Sequence, residues 1–65
     1  SRQHAKIRRT SDHRLALVDL GSTNGTYLNQ QRLTPYHEYL LHDGDELIFG
    51  RLTVRIYFKP TDRLN

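Results

Sequence analysis

Along this chain apolar residues recur at every second position far more often than at every third or fourth. From Leu52 to Phe58 the alternation is complete: Leu52, Val54, Ile56 and Phe58 fall on one face, and Thr53, Arg55 and Tyr57 on the other. Strand side chains point to the two faces in turn, so this run predicts a strand with one face on a core and one in water. Arg14 to Leu20 predicts another strand. There Leu15, Ala16, Leu17 and Val18 are apolar on both faces, as in the middle of a sandwich. Ala5 to Arg9 precedes it, and the turn cluster Thr10-Ser11-Asp12-His13 predicts that the two strands pair as a hairpin. Thr26 to Asn29, Arg32 to Leu33, Tyr39 to Leu41 and Glu46 to Phe49 read as short strands. Between them lie Gln30-Gln31, Thr34-Pro35-Tyr36, His42-Asp43-Gly44-Asp45 and Gly50-Arg51. Turn signals this frequent predict an all-β sandwich or small barrel of mainly antiparallel strands.

At 65 residues the chain holds one domain at most, and a domain of this size buries only about 60% of its unfolded surface. Cysteine is absent, so neither a disulfide framework nor a thiolate metal site is available. That fits a reducing compartment, the cytoplasm or, in a eukaryote, the nucleus. No apolar run approaches membrane-spanning length, and no membrane partner is expected. The net charge is +3, with Arg2, Lys6, Arg8, Arg9 and Arg14 crowded into the first fourteen residues against Asp12 alone. That end should favour anions.

Two polar clusters carry the candidate chemistry. Residues 19–29 read DLGSTNGTYLN; Asn24-Gly25 alone would suffice for a hairpin turn, because both residues tolerate positive φ. Gly21, Ser22, Thr23 and Thr26 are then surplus to the turn, and they read either as a polar surface loop in water or as an anion cradle of hydroxyls, amide and backbone N–H groups. The second cluster, Ser1-Arg2-Gln3-His4-Ala5, opens the first strand. Ser1 offers a hydroxyl and Arg2 a planar fork of donors suited to phosphate oxygens.

Taken in order, the Ser-Arg-x-His-Ala opening, the strand hairpin, Asp-Leu-Gly-Ser-Thr-Asn-Gly-Thr, Asp43-Gly44-Asp45 and the final amphipathic strand resemble the forkhead-associated (FHA) domain. The resemblance covers residues 1–58 and leaves 59–65 as a C-terminal tail. It implies a β-sandwich whose loops at one end bind phosphothreonine in a phosphorylated partner protein, as a signalling module without catalysis or cofactor. By that resemblance Ser1 and Arg2 lie in the phosphate loop and His4 braces it from inside. Thr23 and Asn24 hold the phosphothreonine and its peptide backbone, and Gly25 and Thr26 set the loop's shape. The family places a Gly-Arg motif upstream of this opening, which this sequence does not contain. The expectation is therefore an FHA-type sandwich incomplete at its N-terminus, whose open sheet a strand-completing partner or a second copy would repair. The family also often has Gly after Tyr27-Leu28-Asn29, where Gln30 and Gln31 stand here and are read as the turn. Thr10 to Arg14 and Gln30 to Arg32 are the candidates for reading sequence around the target phosphothreonine.

Other readings fare worse. Ser1, His4 and Asp12 make a triad only on paper, because Ser and His three residues apart at a strand entrance are badly placed to bond each other with a third group behind them. His42, Asp43, Asp45 and Glu46 lack the longer ligand series of a calcium loop and read as a turn. The main alternative is a small basic β-module for single-stranded nucleic acid, using Arg8, Arg9, Arg14 and Arg55 with Tyr27, Tyr36 or Tyr57 as stacking platforms. No aromatic residue lies among the N-terminal basic ones to serve it.

Overall fold

The two-residue period becomes seven strands in the computed structural model, which describes residues 4–58. They are β1 (Ala5–Arg9), β2 (Leu15–Asp19), β3 (Thr26–Leu28), β4 (Gln31–Arg32), β5 (Glu38–Leu40), β6 (Glu46–Phe49) and β7 (Leu52–Arg55). One sheet has the order β1-β2-β5 and the other β4-β3-β6-β7, with every neighbouring pair antiparallel. The chain therefore crosses between layers after β2, returns after β4 and crosses again after β5. This is the expected all-β sandwich.

β1 and β2 pair as a hairpin from Ala5↔Asp19 to Arg9↔Leu15. Thr10 closes it: its hydroxyl donates to the Asp12 carboxylate and accepts from Arg14 N at 3.0 Å. That hydroxyl is the main reason the exposed Asp12 carboxyl is held below its ordinary range. As its composition predicts, β2 is the central strand and is buried on both faces. Its inward Leu17 meets Leu33, Leu41 and Leu47, with Ala5, Leu15, Leu28, Tyr39, Phe49, Val54 and Ile56 packed around them. Burying one such leucine is worth about 1.5–3 kcal/mol. Outward, Ala16 and Val18 lie between Arg8 of β1 and Glu38 of β5, whose ion pair passes over them. Leu33 and Leu41 fall just past their strands yet stay buried, tied by Leu33 N to Thr26 O at 2.9 Å and Leu41 N to Leu15 O at 2.9 Å.

Two expectations need correction. The inward row of the last strand holds only in the middle: Val54 and Ile56 pack on the core, whereas Leu52 is 59% and Phe58 40% exposed. β7 is the edge of the four-stranded layer and the opposite sheet has three strands among the described residues, so within these residues the ends of that row are left uncovered. The turn after β3 is Asn29-Gln30 rather than Gln30-Gln31, because Leu28 pairs with Gln31 and leaves two residues between the strands. Both have positive φ, 50° and 71°, as a tight hairpin matched to strand twist requires. Asparagine tolerates that region, and here Asn29 also donates from Nδ2 to Asp45 Oδ1 at 3.0 Å and accepts from Glu46 N at 3.0 Å. Asp45 in turn accepts from His42 N at 2.7 Å, so the His42–Asp45 segment is closed as a turn.

Candidate functional site

The segment from Leu20 to Gly25 is not a hairpin: it carries the chain from β2 in one sheet to β3 in the other. Its organiser is Asp19, the last residue of β2, which is 1% exposed. One carboxylate oxygen accepts from Ser22 Oγ at 2.6 Å and Thr26 Oγ1 at 2.7 Å, and the other from Gly21 N at 3.2 Å and Ser22 N at 3.3 Å. Thr26 opens β3 and is fully buried, so its bond to Asp19 ties the two sheets together where the chain crosses. Burial alone would push the Asp19 carboxyl up; the hydroxyls of Ser22 and Thr26 and the two amides outweigh it and hold the carboxyl below its ordinary range. Asp19 thus stays charged and gathers the loop around itself.

This changes the account of the loop's polarity. The Ser22 and Thr26 hydroxyls are occupied inward by Asp19, whereas Thr23 and Asn24 are exposed. Neither of those side chains makes a hydrogen bond among the described residues. Asp19 itself was hidden in the sequence inside an apolar strand. The signal for it was an acid three residues before a serine and seven before a threonine, across a glycine turn, a spacing that lets one carboxylate serve both hydroxyls.

His4 supports the same loop from the other strand. Its Nε2 lies 3.0 Å from Gly25 O, and because a carbonyl oxygen only accepts, Nε2 carries the hydrogen. The ring is fixed by an edge-to-face contact with Phe49, centroids 5.8 Å apart, and its backbone carbonyl accepts from Leu20 N at 3.0 Å. Gly25, buried and at φ +85°, is the residue so held. At the loop's start Tyr36 bonds back to β2, through its N to Asp19 O at 2.8 Å and its hydroxyl to Leu20 O at 3.2 Å. A Cβ on Gly21 would stand 2.6 Å from that hydroxyl and would have to displace it, and the φ of +77° also favours glycine there.

The structure thus brings His4, Thr23, Asn24, Gly25 and Thr26 to one end of the sandwich. Ser1 and Arg2 lie outside the described residues. Of the two segments expected to read flanking sequence, Thr10 to Arg14 sits at the far end of the β1–β2 hairpin, about 17 Å away for five strand residues. Gln30 to Arg32 starts from the other end of β3, Gln30 in the turn and Gln31 opposite Leu28, so of the three only Arg32, opposite Tyr27, reaches back to the loop. The basic residues of the nucleic-acid alternative are partly engaged: Arg8 pairs with Glu38, and Arg55 lies 3.7 Å from Glu46 and donates to Gly44 O at 2.7 Å. Arg9, His13, Arg14, Leu15, Leu41, Tyr57 and Phe58 line a groove of about 630 Å³ at the opposite end.

Known proteins match much of this sequence. A family model described as the FHA domain matches residues 1–50. The oxoglutarate dehydrogenase inhibitor of Corynebacterium jeikeium (strain K411) is 43% identical over 51 residues, covering 78% of this chain and 33% of that protein. Protein FraH of Nostoc sp. (strain PCC 7120) is 41% identical over 51 residues, 78% of this chain and 17% of that protein. The E3 ubiquitin-protein ligase RNF8 of Bos taurus is 34% identical over 50 residues, 77% of this chain and 10% of that protein. The matched stretch is at most about a third of these relatives, whose names differ widely. What they have in common with this sequence is a matched stretch of about 50 residues, and the chain belongs to the FHA-domain family, a non-catalytic protein-interaction fold.

Proposed function

We propose that this FHA domain binds phosphothreonine-containing segments of partner proteins through the end of the sandwich that carries His4 and the Gly21–Thr26 loop. The observation behind the reading is the division of labour in that loop. Asp19 and His4 take up its internal donors and its Gly25 carbonyl, while Thr23 and Asn24 stay exposed and unpaired among the described residues. A phosphate offers acceptor oxygens and no donor of consequence near neutral pH, so fixed donors are what it requires. Thr23 supplies a hydroxyl, and the Asn24 amide reaches the phosphothreonine or the peptide backbone beside it. Ser1 and Arg2, three and two residues before His4 in the chain, complete the donor set in this proposal.

Titration calorimetry on the full-length protein tests it, with a phosphothreonine peptide, its unphosphorylated counterpart and single-stranded oligonucleotides at two salt concentrations. Binding should require the phosphate, and Asn24→Ala should weaken it by roughly 1.5–3 kcal/mol, the range for hydrogen bonds to charged groups. Arg2→Ala should cost a similar amount or less. Equal affinity for both peptides, or binding of oligonucleotide alone with a steep salt dependence, would overturn the proposal.

A further inference from the structure

Gly25 is touched by a second side chain besides His4. A Cβ built on it would stand 2.6 Å from Arg32 Nε, 2.9 Å from Cζ and 3.1 Å from Nη2, so the guanidinium lies directly against the open side of the glycine. Arg32 reaches it from β4, where it is paired with Tyr27 and exposed. Among the described residues no carboxylate is within ion-pairing distance of Arg32, and its guanidinium makes no hydrogen bond. Arg8 and Arg55, by contrast, are each engaged with a glutamate. A guanidinium packed against the loop, one residue from exposed Asn24 and with its fork of donors unspent, is suited to an oxyanion.

We propose that Arg32 is a ligand-binding residue of this site, its guanidinium taking an oxyanion of the bound peptide. The inference rests on the phosphothreonine reading above. Two groups on such a peptide have the right chemistry, the phosphate and the carboxylate of an aspartate or glutamate close after the phosphothreonine. In either case the missing Cβ of Gly25 is what admits the guanidinium beside Asn24.

The experiment compares wild type, Arg32→Met and Arg32→Lys in the full-length protein, with folding of each variant checked by thermal unfolding. Methionine keeps an unbranched stem to cover Gly25 without the charge; lysine keeps stem and charge but loses the fork. The probes are a phosphothreonine peptide flanked by alanine, three versions with aspartate at the first, second or third following position, and the unphosphorylated peptide. If Arg32 holds the phosphate, Arg32→Met weakens every phosphopeptide by about tenfold or more, the loss of one charge-assisted hydrogen bond. If it holds a carboxylate, wild type prefers one aspartate peptide by about two- to fivefold, as for an exposed ion pair, and Arg32→Met erases that preference alone. Arg32→Lys falls between wild type and methionine in both cases. Wild-type affinities for all phosphopeptides in Arg32→Met, with phosphate dependence intact, would overturn the role of Arg32 and leave the phosphothreonine reading standing. Equal binding of phosphorylated and unphosphorylated peptide by wild type would bring down that reading and this inference together.

Discussion

Replacing Asp19 with asparagine keeps the size of the side chain and removes its charge, so it isolates what the buried carboxylate does for the loop. Four donors converge on Asp19, two hydroxyls on one oxygen and two amides on the other. An asparagine cannot accept all four. With its NH2 towards the backbone amides, two donors face a donor. With its NH2 towards Ser22 and Thr26, the hydroxyls can turn to accept, but the Thr26 proton is then left in a fully buried place without an acceptor. Hydrogen bonds to a charged group exceed neutral ones by about 1 kcal/mol each, and the neutral side chain recovers part of that by escaping the desolvation cost of the charge. The expected net loss is about 2–3 kcal/mol, a large fraction of the roughly 5 kcal/mol typical at the low end for small domains. Urea unfolding measures it, with a midpoint drop of about 2 M or more at a slope near 1 kcal/mol/M. Thr26→Val tests the mechanism, because removing the hydroxyl should couple to Asp19→Asn by about 1 kcal/mol or more in a double-mutant cycle. A midpoint within error of wild type, or strict additivity of the two substitutions, would refute the argument that Asp19 ties the sheets through Thr26.

Other outcomes follow from the same geometry. Gln30 sits at φ +71° without glycine's freedom, so Gln30→Gly should stabilise the domain by about 0.5–1 kcal/mol in thermal or urea unfolding, the left-handed penalty less the extra unfolded-chain entropy of glycine. Gly21→Ala should cost about 1–2 kcal/mol for its φ of +77° plus the displacement of the Tyr36 hydroxyl; in a Tyr36→Phe background the cost should be smaller, since the nearest atom to the new methyl is that hydroxyl. The Asp19 and Asp45 carboxyls are both held below their ordinary range. Their contribution to stability is therefore complete above the unfolded value of about 3.9 and is lost as pH falls through the lower folded values. Unfolding free energy should decline from about pH 5 downward, and Asp19→Asn should flatten that decline.

The sequence by itself determined the strands, because a period of two is a local property. Leu15 to Val18, apolar on both faces, specified a central strand before any neighbour was known, and the Thr10-Ser11-Asp12-His13 cluster specified its hairpin with Ala5 to Arg9. The motif order was equally legible, and with it the family. Which sheet each strand joins was not, because pairing across a loop is decided by how two layers pack rather than by the residues of the loop. Asn24-Gly25 therefore looked like a hairpin turn while it serves a crossover. Asp19 looked like the polar end of an apolar strand, and only the approach of β3 from the opposite sheet gives its carboxylate the Thr26 hydroxyl. Leu52 alternates as faithfully as Val54 yet is left open, since burial depends on whether a facing strand exists above it. Arg32 is one basic residue among ten lysines and arginines in the sequence; the two-residue turn at Asn29-Gln30 folds β4 back along β3 and sets its guanidinium on Gly25, seven positions earlier in the chain. Contacts of this kind join residues that no local pattern relates, and they come into being only when the packed sheets fix the distance between them.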